Sequence, residues 1–333
     1  MGQSILAMSF FGGDPVYTLL VFLSMILLGL SNGLWKEPVP VFGVKRLVML
    51  RSLFVLALVL PFALFMGFSD FDAEFSLASP SFRGLLVVLL ISYPGLYFFV
   101  RATQDGPTSV VVPVSTSIST VIPILVNAVY LKEFHFNLIS YAGIIFLLFG
   151  LALLKFRYAN GRLVYMGDAG FRFAFLSAIL TGTSLAIIQN IVLMVGVPVV
   201  LISQEISIFV FSLSHLAISR LLIKPDSKNP GQAIRWSKEQ FLRSWSQYAW
   251  IIGAIGILSG LAVIFRVVSH SSPLPQTTFI LSFSCLVSVV FAKIYYAENL
   301  KPQQKLAVFF LISGIFIISW IGDGQLSGIS LPF

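Results

Sequence analysis

The chain has 333 residues, 57% of them hydrophobic and 10% charged, with a formal net charge of +8 and a mean hydropathy of +0.95. Soluble domains carry about 25% charged residues, so this composition excludes a water-soluble globule and points to an all-α integral membrane protein. A bilayer-crossing helix takes about 20 mostly apolar residues, so the chain has room for ten spans and no extramembrane domain. The single cysteine, Cys285, lies in an apolar run and makes no intramolecular disulfide. The first fourteen residues carry one charge, Asp14, and no basic n-region, so no cleavable signal peptide is expected.

Apolar runs predict ten helices over residues 15–35, 47–68, 84–103, 108–131, 138–156, 171–193, 198–222, 248–267, 274–295 and 304–322. The first and the sixth open on nearly the same words: FLSMILLGLS at 22–31 and FLSAILTGTS at 175–184, identical at seven of ten positions. Five spans separate the copies, and an odd number of crossings turns the second copy upside down. That pattern predicts two inverted five-helix repeats, 1–156 and 157–333, around a central cavity. The connections are short except for three. Residues 69–83 are acidic, 157–170 hold Arg157, Arg162 and Asp168, and 223–247 include IRWSKEQFLRSW. In the last, Trp236, Phe241 and Trp245 alternate with Arg235, Lys238 and Arg243. The spacing suits a helix lying flat on an anionic leaflet, and an ordinary cytoplasmic connector fits equally.

Loops after odd-numbered helices, with the adjoining helix ends, carry 18 of the 21 basic residues, against Arg83, Lys132 and Arg266 on the other side. The acidic residues divide evenly, leaving Glu205 within the membrane. Positive charge stays in the cytoplasm, so the loops after odd-numbered helices are expected inside and both termini outside. This asymmetry accounts for the net charge without an acidic partner. The basic residues follow membrane topology, so no nucleic-acid partner is expected.

The segment from 105 to 155 carries Pro113, Pro123, Glu133, Gly143 and Gly150 in one helix, a short loop and a following helix. A weaker copy lies 165 residues on, where Ser117, Ser119, Tyr130 and Glu133 meet Ser282, Ser284, Tyr295 and Glu298. The first helix ends in Trp35-Lys36. In these features the chain resembles the EamA-type drug/metabolite transporter superfamily over essentially its whole length. The resemblance implies a basket of two five-helix halves, a substrate site at the midplane, and alternating access by rocking of the halves. It implies small metabolites as substrates and a bacterial inner membrane as the location. Ten-helix members are generally drawn with both termini in the cytoplasm, the reverse of the charge count here.

Candidate site residues follow from polarity within the spans. Glu205 has no basic residue within a dozen positions, and an unpaired carboxylate in hydrocarbon costs on the order of 3 kcal/mol or more. It is expected either to serve in the cavity as a proton-coupling or substrate-binding carboxylate or to pair with an arginine or histidine of another helix. Arg51, near its repeat counterpart, reads as a snorkelling anchor. Asn32 and Lys36 share a helix face and suit an anionic substrate group or interfacial anchoring. Offset by 153, Lys36 and Glu37 correspond to Gln189 and Asn190. Ser115 and Ser119 share a face of the fourth helix, as Thr278 and Ser282 do on the ninth, which also carries Gln276. These hydroxyl faces suit a polar cavity wall or close helix packing. Tyr93, Tyr97 and Arg101 form one stripe, able to stack on a ligand or to join an aromatic belt. Glu133 and Glu298 are expected to fix helix ends, and Gly253, Gly256 and Gly260 a close crossing.

These features predict a secondary transporter, exporter or exchanger, of a small polar or amphipathic metabolite, working as a monomer among membrane lipids. No GxxxxGK[ST] motif supplies an ATP engine, so any coupling falls to a proton or ion gradient, and a passive facilitator or exchanger fits as well. No catalytic residue, metal or cofactor is expected. His135, His215 and His270 are scattered, which weighs against a membrane-embedded transferase. The same fold would also serve a lipid or lipid-linked sugar flippase.

Overall fold

The computed structural model describes residues 15–67, 79–126, 138–159, 162–165, 169–222, 238–269, 280–298 and 301–318. Among them are ten helices of twelve residues or more: α1 (Pro15–Leu34), α2 (Val44–Met66), α3 (Pro80–Asp105), α4 (Thr108–Val126), α5 (Leu138–Lys155), α6 (Ala169–Val195), α7 (Val197–Leu222), α8 (Lys238–Val268), α9 (Ser284–Tyr295) and α10 (Pro302–Phe316). Seven of these, α1 to α4 and α6 to α8, are long and apolar enough to cross a membrane; the apolar stretches Tyr141–Leu154 and Ile280–Tyr295 are shorter. With large side chains such as Phe65, Ile145 and Phe309 turned outward, the helices fit an all-α multi-pass membrane protein.

Local chemistry sets several ends. Ser79 caps α3, its hydroxyl accepting from the Phe82 N–H at 3.2 Å, with Pro80 at the first helical position. Gly43, at φ 73°, turns the chain from the one-turn helix Val39–Phe42 into α2. Two differences from the sequence reading stand out. The 157–170 connection contains a hairpin, β1 (Phe156–Ala159) antiparallel to β2 (Arg162–Tyr165), with Phe156 opposite Tyr165. The basic aromatic segment is not a separate flat helix: from Lys238 it runs straight into α8. The rings of Phe241 and Trp245 turn inward, Phe241 edge-on to Phe42 at 6.2 Å and Trp245 stacked on Phe54 at 6.4 Å, while Trp236 and Arg235 lie outside the described residues. Ring burial against α2 and the turn before it holds those residues more firmly than a leaflet surface would.

Helix α4 sits at the centre, with 16 of its 19 residues buried, and packs on α6, α9 and α10. The remaining pairings form a pattern. α3 lies along α6 as α8 lies along α1; α4 meets α6 as α9 meets α1; α2 meets α8 as α7 meets α3; and α2–α7 and α5–α10 pair with each other. The repeated words have matching surroundings. All ten position pairs from Phe22/Phe175 to Ser31/Ser184 share one burial class. The Ser24 hydroxyl donates to the Ala262 carbonyl on α8, and the Ser177 hydroxyl to the Gly95 carbonyl on α3, both at 2.8 Å. Gly29 faces Ser284 and Val287 of α9, and Gly182 faces Ser119 and Ile122 of α4, which are counterparts at the offset of 165.

The glycines of α8 differ in what they permit. A Cβ on Gly253 would rest 3.7 Å from the Phe54 ring, in ordinary contact, whereas one on Gly256 would come within 2.3 Å of the Phe54 Cβ. Gly253→Ala is therefore expected to stabilise by about 0.5–1 kcal/mol through helix propensity. Gly256→Ala is expected to destabilise by about 1–3 kcal/mol through overpacking. Denaturant midpoints of the two variants check the opposite signs.

Candidate functional site

Polar side chains that the apolar core excludes collect in three places. The first joins α2, α7 and α8. Arg51 and Glu205 are both buried, and the guanidinium Nη1 donates to Glu205 Oε2 at 2.5 Å. Arg51 Nε also donates to the Ser259 hydroxyl at 3.0 Å. The pair is electrically neutral as a unit, which lowers the cost of burial, but each member depends on the other. Arg51 is thus no snorkelling anchor: its side chain is 6% exposed. Of the two expectations for Glu205, the structure shows the pairing with an arginine of another helix. The preceding residue, Gln204, donates to the Ser92 hydroxyl at 3.3 Å, and Ser92 meets Ser184 at 3.2 Å, linking α7, α3 and α6.

The second cluster brings Tyr93 and Tyr97 together with His215. The Tyr93 hydroxyl lies 2.6 Å from His215 Nδ1, and Tyr97 packs its ring 5.2 Å from the imidazole. Phe211 stacks on Tyr93 at 6.4 Å. One turn beyond His215, Lys45 of α2 donates to the Ser219 hydroxyl, which in turn donates to the His215 carbonyl. Arg101, the third member of the tyrosine stripe, points elsewhere and pairs with Asp105.

The third cluster lies where α1 and α9 end and α4 begins. Lys36 Nζ pairs with Glu298 Oε1, and Glu298 Oε2 accepts the Ser109 N–H at 3.1 Å. The carboxylate therefore caps the first turn of α4, where negative charge is favoured. The Lys36 ammonium lies 5.4 Å from the Tyr296 ring centre, and the Tyr296 hydroxyl donates to the Gly33 carbonyl at 3.0 Å. Burial pushes the Tyr296 phenol up, and the Glu37 carboxylate adds to the rise. Burial also works against the Glu298 carboxylate, but the Lys36 ammonium and the Ser109 N–H and hydroxyl outweigh it and hold that carboxyl below the ordinary range. A depressed pKa adds stability above the unfolded value, and this is lost as the pH falls through the folded one. Glu298→Gln is expected to melt below wild type at about pH 7, with the gap closing towards about pH 3. Thermal scans across that range check it; a gap constant with pH would remove the charge from the account.

The other candidates are placed as follows. Ser115 and Ser119 are buried in α4; Ser119 donates to the Thr116 carbonyl of its own helix, and its Cα lies against Gly182. Asn32 is half-buried on α1, and Gln189 on α6 has a buried Oε1 without a partner among the described residues. Ser282 is buried at the start of the α9 segment; Gln276 and Thr278 lie outside the described residues, as do Glu133, His135 and His270. The structure thus joins Tyr93 with Tyr97, Glu205 with Arg51, and Lys36 with Glu298. The reading from sequence gave His215 no place beside the tyrosines and gave Ser109 and Ser259 no role, although the i, i+4 spacing of the tyrosines marked one half of the cluster. No group of three or more potential metal ligands occurs among the described residues.

No protein-family model matches the chain, and no curated protein matches it. A solved structure described as "Crystal structure of protein" superposes with a TM-score of 0.58 at 15% identity, covering 92% of this chain and 97% of that one. At that identity the likeness establishes a shared fold.

Proposed function

We propose that the chain is a secondary transporter of a small polar or amphipathic metabolite, built as two inverted five-helix halves, 1–156 and 157–333, and working by alternating access. The observation that carries the reading is the buried Arg51–Glu205 pair, which joins near-equivalent positions of α2 and α7 across the two halves. A charge pair at the contact between halves is costly to keep in an apolar bundle, and its presence there suits a contact that must open and close. The doubled helix pairing and the matched surroundings of the repeated words support the inverted architecture. In this reading protonation of Glu205 releases Arg51 and couples a proton to movement of α7 against α2. The excess of basic residues in the loops after odd-numbered helices supports Lys36, Lys45 and Glu298 at a cytoplasmic end with both termini outside, and the family resemblance would make the membrane a bacterial inner one.

A specific observation favours a second reading, a lipid or lipid-linked sugar flippase. An apolar groove of about 410 Å³ opens on the outer face of α1 and α9, lined by Leu30, Leu286, Val287, Val290, Phe291, Ile294 and Tyr295. It ends beside the Lys36–Glu298 cluster, as a groove for the tail of an amphipathic substrate would. Thermal midpoints of the purified chain against a panel of soluble metabolites, at two pH values, separate the readings. A shift from one soluble class, larger at one pH, is expected, because a ligand that binds only the folded state stabilises by mass action. Shifts from lipids and lipid-linked sugars alone would overturn the soluble-metabolite reading.

A further inference from the structure

The polar cluster around His215 has an apolar counterpart elsewhere in the bundle, on a frame that is otherwise the same. Gly43 and Gly196, at φ 73° and 88°, precede α2 and α7, so these helices match at the offset of 153 that relates the repeated words. Helices α3 and α8 match at an offset of 167, because Ser177 meets Gly95 where Ser24 meets Ala262. Side-chain contacts keep both registers: Arg51 donates to Ser259, and its counterpart Gln204 donates to Ser92, the counterpart of Ser259. In these registers Lys45, Tyr93, Tyr97, Phe211, His215 and Ser219 correspond to Pro198, Gly260, Ile264, Leu58, Phe62 and Met66. Where Phe211 stacks on Tyr93, Leu58 lies 3.2 Å from the place a Cβ on Gly260 would take. Ile264 and Phe62 belong to one apolar core cluster. The architecture is thus satisfied by apolar residues at this crossing, and the polar set answers to another requirement.

The chemistry of the set is that of an anion site. Lys45 is half-buried and has no carboxylate partner among the described residues. Its ammonium donates to the Ser219 hydroxyl, which leaves two of its three donors. Lys45 stands in the first turn of α2, where the positive end of the helix dipole disfavours a cation. That turn has no acidic residue and no side-chain cap, so an anion there would offset the ammonium and meet the open N–H groups together. Tyr93 holds His215 at Nδ1, leaving Nε2 as the remaining polar atom of the ring. Beside these groups Phe211, Ile218 and Leu221 of α7 are exposed. In a membrane-crossing bundle such a face meets acyl chains, and a basic pocket between helix ends meets headgroups.

We propose that Lys45, His215 and Ser219 bind the phosphate headgroup of an anionic bilayer lipid, whose acyl chains lie along the exposed face of α7. The inference needs a membrane-crossing bundle and stands apart from the transport reading.

The test reads thermal midpoints of the purified chain in a nonionic detergent against added lipid. Dioleoyl phosphatidylglycerol, well above its dissociation constant, is expected to raise the midpoint by about 2–4 °C. Dioleoyl phosphatidylcholine, with the same chains and a zwitterionic headgroup, is expected to leave it unmoved. Lys45→Gln is expected to weaken the phosphatidylglycerol response about tenfold, the loss of one charge-assisted contact. Lys45→Arg keeps the charge and is expected to keep the response. Lys305→Gln removes an exposed lysine in the first turn of α10 and is expected to leave the response as it is. Equal responses to the two lipids would overturn the site. So would equal losses in Lys45→Gln and Lys305→Gln, which would make surface charge at large the cause. A rise with inorganic phosphate alone, lost in Lys45→Gln, would overturn the lipid and assign the site to a free anion.

Discussion

Glu205→Gln is expected to lower the stability of the protein by about 3–5 kcal/mol and, on the proposed transporter reading, to abolish pH-dependent transport. The guanidinium of Arg51 is buried, and its carboxylate partner lies 2.5 Å away. Removing that charge leaves an uncompensated cation in an apolar bundle, and this penalty dominates the loss of the pair's mutual attraction. Arg51→Met should cost a similar amount for the mirror-image reason. The double variant Arg51→Met with Glu205→Met removes both charges and should recover most of the stability, because exchanging a buried pair for well-packed apolar groups is often neutral or stabilising. The coupling between the sites follows from the double-mutant cycle of unfolding free energies. Function separates the readings. If the pair couples protons to transport, the double variant folds but does not respond to a pH gradient in proteoliposomes. If it transports with the wild-type pH profile, the pair is a brace and coupling lies elsewhere.

The second large effect is expected at the α5–α10 crossing. Gly143 and Gly314 face each other so closely that a Cβ on Gly143 would lie 2.8 Å from the Gly314 carbonyl, and a Cβ on Gly314 would lie 2.7 Å from the Gly143 carbonyl. The obstacle on both sides is backbone, which cannot turn aside as a side chain can. Either Gly→Val substitution must push the helices apart, losing the packing of Leu147 and Leu311 along the crossing. The expected cost is about 3 kcal/mol, the upper part of the overpacking range. Gly143→Ala should cost less than Gly143→Val. The double variant should cost less than the sum, since one separation relieves both clashes. Additive losses would show that the helices do not move as units.

Both effects arise at contacts between elements far apart in the chain, and this divides what could be read from the sequence from what could not. The apolar helices, seven of them long enough to cross a membrane, were legible because apolar length is a local property: a helix must satisfy its own backbone in lipid, whatever it packs against. The repeat was legible because seven of ten identities at 22–31 and 175–184 survive in the words themselves, and their matched burial follows from matched partners. Helix ends were less so. The start of α8 was placed ten residues late because Phe241 and Trp245 look interfacial until the facing Phe42 and Phe54 are known. The hairpin at 156–165 gave no warning, since four-residue strands are too short for periodicity to register.

The sequence by itself determined the class of the protein, its long apolar helices, its charge asymmetry and the presence of a carboxylate that had to find a partner. The tertiary structure decided the partners. It gave Glu205 to Arg51, Glu298 to Lys36 and Ser109, and His215 to Tyr93. Each contact spans more than a hundred residues of chain. Hydropathy fixes how deep a side chain sits in the membrane; only the packing of α2, α3 and α9 against their neighbours fixes which face of a helix it meets.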